Sequence, residues 1–232
     1  GPVGKRFLEA QPRIVQAIAS SPAVQQWLRA LQLRITERVR SAQLESWRKG
    51  CDASQAEDCA RLARAYQSGG AARALAQSLF FEQRACDAGA AASCYTLGYR
   101  YEEGRDGAPR YAKRSAQAYR KGCDGGKPEA CHALAGLHRP GGAIGSDLDG
   151  WAALLEKACD AGSAAGCAEL AGAIEFGRLS GVPASSKWRG ANAERVAQLY
   201  QRACDLHESY ACVSLARLLS AGRGVPRDEG RA

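Results

Sequence analysis

Ten cysteines fall into five pairs, and every pair has the same spacing, Cys-x7-Cys. From one first cysteine to the next, the steps are 35, 37, 36 and 45 residues. A near-constant period with one nine-residue insertion is typical of helical repeat arrays, in which each repeat packs only on its neighbours. The sequence therefore predicts an all-α array of about five repeats. The pairs are Cys51 with Cys59, Cys86 with Cys94, Cys123 with Cys131, Cys159 with Cys167 and Cys204 with Cys212.

Each cysteine pair surrounds a turn. In the second repeat, Asp87 and Gly89 follow the first cysteine, and the second cysteine opens an apolar run. Gly ends a helix because it accepts the left-handed conformation, so the two cysteines are expected to lie on either side of a tight helical corner. Eight residues across such a corner can bring two Cα atoms within bridging distance. The spacing therefore favours five disulfides, one in each repeat.

Zinc or redox chemistry would need other spacings. Zinc ligands are usually two to four residues apart within a pair, and a thioredoxin-like dithiol needs Cys-x-x-Cys. Neither of these spacings matches Cys-x7-Cys. We therefore expect structural disulfides, no metal and no cofactor. Disulfides persist outside the reducing cytoplasm, which predicts a periplasmic, cell-surface or secreted protein.

Helical periodicity and turn signals divide the chain into residues 1–46, a basic N-terminal helical cap, and residues 47–232, the repeat array. Ser21, Asp147 and Asn192 suit helix N-caps. Residues 178–190 form one long loop containing Trp188, which either contacts a partner or folds back onto a neighbouring helix. Helices are expected near 12–20, 22–50, 54–67, 71–87, 91–103, 110–123, 128–138, 147–160, 164–177, 191–205 and 209–221.

The positive charge is concentrated at the N-terminus. Residues 1–49 contain nine Lys/Arg and three Glu, which gives +6 of the total +8. An anionic partner could use this segment, and a solvated helix face explains it equally simply. Few aromatic residues lie among these cations and no nucleic-acid motif is present, so no nucleic acid is expected as a partner. Nowhere do 18 apolar residues occur in succession, so no membrane span is predicted.

The cysteine-aligned segments resemble SLR (Sel-one-like repeat) proteins, which are related to the TPR family. The resemblance rests on Leu97–Gly104, on Ala221–Asp228 and on the cysteine frame, and it covers about four fifths of the chain. The cysteine pairs are most similar to those of the secreted, cysteine-rich Hcp-type SLR proteins. This resemblance implies a right-handed α/α solenoid whose concave surface, formed mainly by the first helix of each repeat, binds a protein or peptide.

An extracytoplasmic scaffold or adaptor is therefore the expected function. Polar or aromatic residues after the second cysteine are candidates for the binding surface, and so is the loop tryptophan, while buried packing explains the tyrosines equally well. These candidates are Tyr66, Arg100, Tyr101, His138 and Trp188.

The alternative is a penicillin-binding or β-lactamase-like protein acting on the cell wall, because some Hcp-type relatives are described in those terms. Ser46-Trp47-Arg48-Lys49 fits the Ser-x-x-Lys pattern of such enzymes, but the companion motifs Ser-Asp-Asn and Lys-Thr-Gly are absent. No catalytic residue is therefore assigned.

Overall fold

A computed structural model describes residues 21–68, 72–189, 192–228 and 230. These residues form helices and no strand, and the helix bounds agree with the expected ones to within about two residues. The helix expected near 12–20 lies outside the described residues. The helices are α1 (Pro22–Asp52), α2 (Ala56–Gln67), α3 (Ala72–Asp87), α4 (Ala91–Glu103), α5 (Ala112–Asp124), α6 (Pro128–His138), α7 (Leu148–Asp160), α8 (Ala164–Glu175), α9 (Ala193–Asp205) and α10 (Ser209–Ala221).

From α2 onward, each helix packs on the next helix along the chain. A repeat thus consists of an A helix and a B helix, where the A helices are α2, α4, α6, α8 and α10 and the B helices are α3, α5, α7 and α9. Helices α4 and α6 also touch each other, as do α3 and α5. This consecutive packing is that of a helical repeat array, as the cysteine period predicts.

The chain divides into two compact units, residues 1–49 and residues 50–232. The first described unit consists of α1 up to Lys49, whose apolar stripe includes the exposed residues Trp27, Leu28 and Ile35. Among the described residues, no helix is both long and apolar enough to cross a membrane. The second unit contains the repeats and all five disulfides.

All five cysteine pairs are bonded, with Cα–Cα distances of 4.5–4.7 Å, and no free cysteine remains. Each bridge joins the last turn of one helix to the first turn of the next. The pairing expected from the spacing is therefore confirmed in every repeat. The bonded pairs are Cys51 with Cys59, Cys86 with Cys94, Cys123 with Cys131, Cys159 with Cys167 and Cys204 with Cys212.

The corner between the two cysteines of a pair has the same backbone conformation in each repeat. The third residue after every first cysteine is left-handed. Glycine adopts this conformation with little strain, and it supplies three of these five corner residues. The five are Ser54, Gly89, Gly126, Gly162 and His207.

Glycine also permits close packing between helices. A Cβ on Gly98 would lie 2.4 Å from the Tyr119 ring, and one on Gly166 would lie 2.8 Å from the Cβ of Ala158. Helix α5 therefore approaches α4 closely, and α8 approaches α7 closely.

Two of the N-caps expected from the sequence are formed. The Asp147 side chain accepts a hydrogen bond from Gly150 N, and the Asn192 side chain accepts one from Arg195 N. These bonds satisfy donors in the first turns of α7 and α9, which have no partner within their own helix.

A ladder of ion pairs connects successive repeats. In each rung, the basic residue two positions before a first cysteine contacts the aspartate that follows the first cysteine of the preceding repeat. N–O distances of 2.6–2.7 Å recur in all four rungs, so the Lys/Arg-x-Cys-Asp pattern has a structural role that spacing alone did not reveal. The pairs are Arg84–Asp52, Lys121–Asp87, Lys157–Asp124 and Arg202–Asp160.

Candidate partner-binding groove

Most of the surface candidates from the sequence are not exposed. Arg100 is 1% exposed, Trp188 5% and Tyr101 6%, so all three side chains are buried in this structure. For Trp188 and Tyr101, this is one of the two interpretations that the sequence left open. Arg100 is enclosed by polar groups of its own and the neighbouring segments, which are Ser78, Glu82 and Asp106. Trp188 belongs to the apolar core formed with α7, α8 and α9. The loop therefore packs back onto the array.

The two remaining candidates, Tyr66 and His138, are half-buried. Tyr66 stacks on Phe81 at a centroid distance of 5.6 Å. His138 ends α6, and its Nε2 is buried without a hydrogen-bond partner among the described residues. Neither residue lines the cavities described below.

Two adjoining cavities lie along the A helices α6, α8 and α10. One of about 430 Å³ is lined by all three helices and by Arg178 beyond α8. The second, of about 340 Å³, lies toward Arg139, Pro140 and Trp151. Glu169 and Arg178 line both cavities, so the two meet at this pair. We call the combined space the α8 groove.

Small residues on one face of α8 create the floor of the α8 groove. Ala165, Ala168, Glu169, Gly172 and Phe176 recur at intervals of three and four residues, which places them on one side of a helix. Three of the five have a methyl group or no side chain, so space remains above the helix backbone. Glu169 is the one charged side chain of this stripe, and Phe176 at its end is exposed.

Glu169 is held by a residue of the preceding repeat. Its Oε2 lies 2.7 Å from His132 Nε2, and the two side chains are about one third exposed, at 29% and 34%. The hydrogen bond from His132 lowers the pKa of Glu169 despite partial burial, and the charges of Arg139 and Arg178 act in the same direction. Glu169 is therefore ionised at neutral pH and already has a partner.

The two arginines of the groove differ from Glu169 in their surroundings. Arg139 and Arg178 are exposed, and among the described residues neither has a carboxylate within 4.0 Å. The guanidinium carbon of Arg178 lies 6.0 Å from the Phe176 ring centre, a weak cation–π contact. The groove therefore presents two guanidinium groups whose donors are open to a ligand.

An aromatic residue, Tyr210, and the carboxylate of Glu208 define the α10 side of the groove. Tyr210 is exposed and stands edge-on to Tyr200, with 6.3 Å between ring centres. The Tyr200 hydroxyl donates to Glu175 at 2.9 Å, and burial together with this carboxylate raises the pKa of Tyr200. Tyr210 therefore rests on a fixed neighbour. Glu208, beside it, adds negative charge at this side of the groove.

Trp151 lines the other side of the groove with only 2% of its surface exposed. Its indole Nε1–H has no hydrogen-bond partner among the described residues. Leaving a buried donor unpaired typically costs about 1–3 kcal/mol. This buried donor belongs to a residue that lines the same cavity as the two arginines.

A larger cavity of about 830 Å³ lies between the B helices α3 and α5. Two of its three cations are engaged, because Lys121 pairs with Asp87 and Arg114 lies over the rings of Tyr101 and Tyr111, while Arg120 has no carboxylate within 4.0 Å among the described residues. Phe80 is exposed at its rim. This cavity is the larger one, whereas the α8 groove has two exposed arginines without an ion-pair partner in the part of the chain that the structure describes.

The Ser-x-x-Lys match lies in the first unit, near the end of α1. Ser46 and Lys49 are exposed, and Lys49 Nζ pairs with Glu45 Oε1 at 3.2 Å. Lys49 is therefore directed to a carboxylate of its own helix in this structure.

Similarity to known proteins is confined to three-dimensional structure, since no protein-family model and no curated protein matches the sequence. A protective antigen present in uropathogenic Escherichia coli strains, which displays an SLR fold, aligns with a TM-score of 0.66 at 22% identity. The alignment covers 80% of this chain and 38% of that one.

A Sel1 repeat protein from Oxalobacter formigenes aligns with a TM-score of 0.61 at 18% identity. This alignment covers 81% of this chain and 80% of that one. Together with the consecutive helices, these likenesses show that the chain has the SLR fold, as the cysteine-aligned segments predict.

Proposed function

We propose that this protein is an extracytoplasmic repeat scaffold that binds a protein or peptide partner along its A helices. The observation that carries the proposal is the α8 groove, where side chains from three successive A helices share one space with Arg139 and Arg178, which have no carboxylate within 4.0 Å among the described residues. Repeat arrays present such continuous surfaces because each repeat contributes the same helix face. The five disulfides support a location in an oxidising compartment.

Site-specific photocrosslinking tests this proposal. A photoreactive phenylalanine analogue at Tyr210 or Val213 probes the exposed face of α10, and one at Phe80 probes the B helices. Each variant of the whole chain is irradiated in an envelope extract from the source organism. We expect one and the same protein to be crosslinked at both α10 positions and to be absent at Phe80. Reduction of the disulfides before irradiation should abolish the crosslink.

Two outcomes contradict the proposal. A protein crosslinked only at Phe80 would move the binding surface to the B helices. Crosslinking of glycans or muropeptides instead of protein would favour the cell-wall hypothesis. Under that hypothesis, a labelled penicillin should acylate the native chain but not a Ser46→Ala variant, whereas a scaffold predicts no acylation of either.

A further inference from the structure

The distribution of charge in the α8 groove specifies the kind of peptide that fits it. The carboxylate of Glu169 is occupied by His132 at 2.7 Å, while Arg139 and Arg178 have no acidic partner among the described residues. Arg139 and Arg178 line the same 340 Å³ cavity as Glu169, so their guanidinium groups border one small region. A ligand that enters this region meets two guanidinium groups and one carboxylate, and that carboxylate is already hydrogen-bonded to His132.

The position of these donors within the groove indicates an internal side chain. Arg178 and Glu169 line both cavities, so groove space continues from Arg178 toward α10 and also toward Arg139, Pro140 and Trp151. A chain terminus would need a groove that ends at the donors. A segment that continues in both directions instead brings a side-chain carboxylate to the junction.

We propose that the α8 groove binds an extended segment of the partner through the carboxylate of an internal Asp or Glu, which Arg139 and Arg178 hold. An apolar side chain of the same segment packs between Phe176 and Tyr210. Glu208 at the α10 side repels a second acidic residue there, so the acidic residue of the ligand is followed by neutral or basic ones in that direction. This inference rests on the proposed function and identifies the partner's chemistry.

Three pools of synthetic peptides provide the test. All contain nine residues with random flanks and an acetylated N-terminus. The first pool has a central Glu and an amidated C-terminus, the second a central Gln and an amidated C-terminus, and the third a central Gln and a free C-terminal carboxylate. The immobilised whole chain, with disulfides intact, is incubated with each pool, and retained peptides are quantified by mass spectrometry.

We expect the central-Glu pool to be retained on the order of tenfold more than the central-Gln pool, because a hydrogen bond to a charged carboxylate is stronger than one to a neutral amide. Equal retention of these two pools would overturn the inference. Stronger retention of the third pool would also overturn it, since the groove would then recognise a chain terminus.

Two double variants that each remove two positive charges show which residues cause the preference for the central-Glu pool. Arg139→Gln with Arg178→Gln should reduce the ratio between the first two pools to about one, as loss of both charge-assisted contacts requires. The control, Arg110→Gln with Arg223→Gln, removes the same charge from exposed positions that line neither the α8 groove nor the larger cavity, and it should keep the ratio. If the control loses it equally, the preference reflects net charge and the inference fails.

The two proposals fail in different ways. If the partner crosslinks at Tyr210 but binds the Arg139/Arg178 variant as well as the native chain, the scaffold function stands and the acidic-residue inference is wrong. If no protein crosslinks at α10 and no pool is retained, the proposed function itself is wrong. A thermal unfolding curve for each variant establishes that it is folded before binding is compared.

Discussion

Arg100 Nη2 lies 3.8 Å from Glu82 Oε2, and the pair joins α4 to α3 where solvent reaches only 1% and 7% of the two side chains. Burial raises the pKa of Glu82, although Ser93 and Arg100 both oppose this change. Arg100 also donates to Ser78 Oγ at 3.0 Å. A charged pair in such a place stabilises the fold only as long as both members remain, because the desolvation cost of each is offset by the other.

Removing one member of this pair should therefore be far more costly than removing both. We expect Arg100→Met to lower the free energy of unfolding by about 3–5 kcal/mol, because Glu82 is left buried without its cation. The double variant Arg100→Met with Glu82→Met should recover most of this loss. Urea denaturation of the two single variants and the double variant measures the coupling. If the double variant lost as much free energy of unfolding as the two single variants together, the two residues would not be coupled.

The placement of Arg100 also shows what the sequence could predict. Helix bounds and disulfides followed from glycines, caps and cysteine spacing, which act locally. Whether a side chain is buried depends on the next helix, and Arg100 was expected at the surface because it is charged. The cysteine frame contained a contrary signal, since every other repeat has an apolar residue six positions after its second cysteine. Those residues are Ala65, Leu137, Ala173 and Leu218.

The α8 groove was less predictable than the fold. His132 and Glu169 are 37 residues apart, one repeat period, so the cysteine frame placed them on neighbouring A helices. Their contact depends on the spacing between α6 and α8, which periodicity does not determine. Trp188 illustrates the same limit, because only the packed core shows that the long loop returns to α7 and α9.

The ion-pair ladder should contribute unequally from rung to rung. In the part of the chain that the structure describes, Lys121 Nζ pairs with the Asp87 side chain alone, whereas Arg84 contacts Asp52 and also donates to the carbonyl oxygen of Cys51 at 2.8 Å. We expect Lys121→Ala to cost about 0.2–1 kcal/mol, as exposed pairs usually do, and Arg84→Ala to cost more because it also removes the bond to a buried carbonyl. Chemical denaturation at low and high salt tests this, since screening should reduce the Lys121 effect more strongly. Equal costs that do not respond to salt would contradict this account.

The contact between His132 and Glu169 should make the stability of the protein depend on pH in the acid range. The folded-state pKa of Glu169 is lowered, chiefly by the His132 hydrogen bond, so the resulting stability is present above the unfolded value of about 4.3. It is lost as the pH falls through the folded-state pKa. His132→Ala should raise the pKa of Glu169, which carbon-13 NMR of its carboxyl group can follow. Glu129, whose pKa is lowered by Lys127 instead, is an internal control that should not move.

The disulfides should be complete in the native protein, because every cysteine is bonded, eight of the ten are 0–2% exposed, and Cys204 and Cys212 are half-buried. Alkylation under denaturing, non-reducing conditions should modify no cysteine, and after reduction it should modify all ten. Replacing Cys86 and Cys94 together by Ala should cost about 2–3 kcal/mol, because closing so short a loop removes little entropy from the unfolded chain. Ten reactive thiols before reduction would remove the argument for an oxidising compartment.

Substitution by Ala should lower the stability of the protein at one helical glycine and raise it at another. A Cβ on Gly98 would lie 2.4 Å from the ring of Tyr119, which is 1% exposed and fixed by its hydrogen bond to Glu102 at 2.7 Å. Gly98→Ala must therefore displace α5, and we expect a loss of about 1–3 kcal/mol. A Cβ on Gly136 meets nothing within 4 Å. Gly136→Ala should instead stabilise the protein by up to about 1 kcal/mol, since Ala is the better helix former. Thermal unfolding of both variants distinguishes close packing from intrinsic helix preference, and a stabilising Gly98→Ala would show that α4 and α5 are not in close contact.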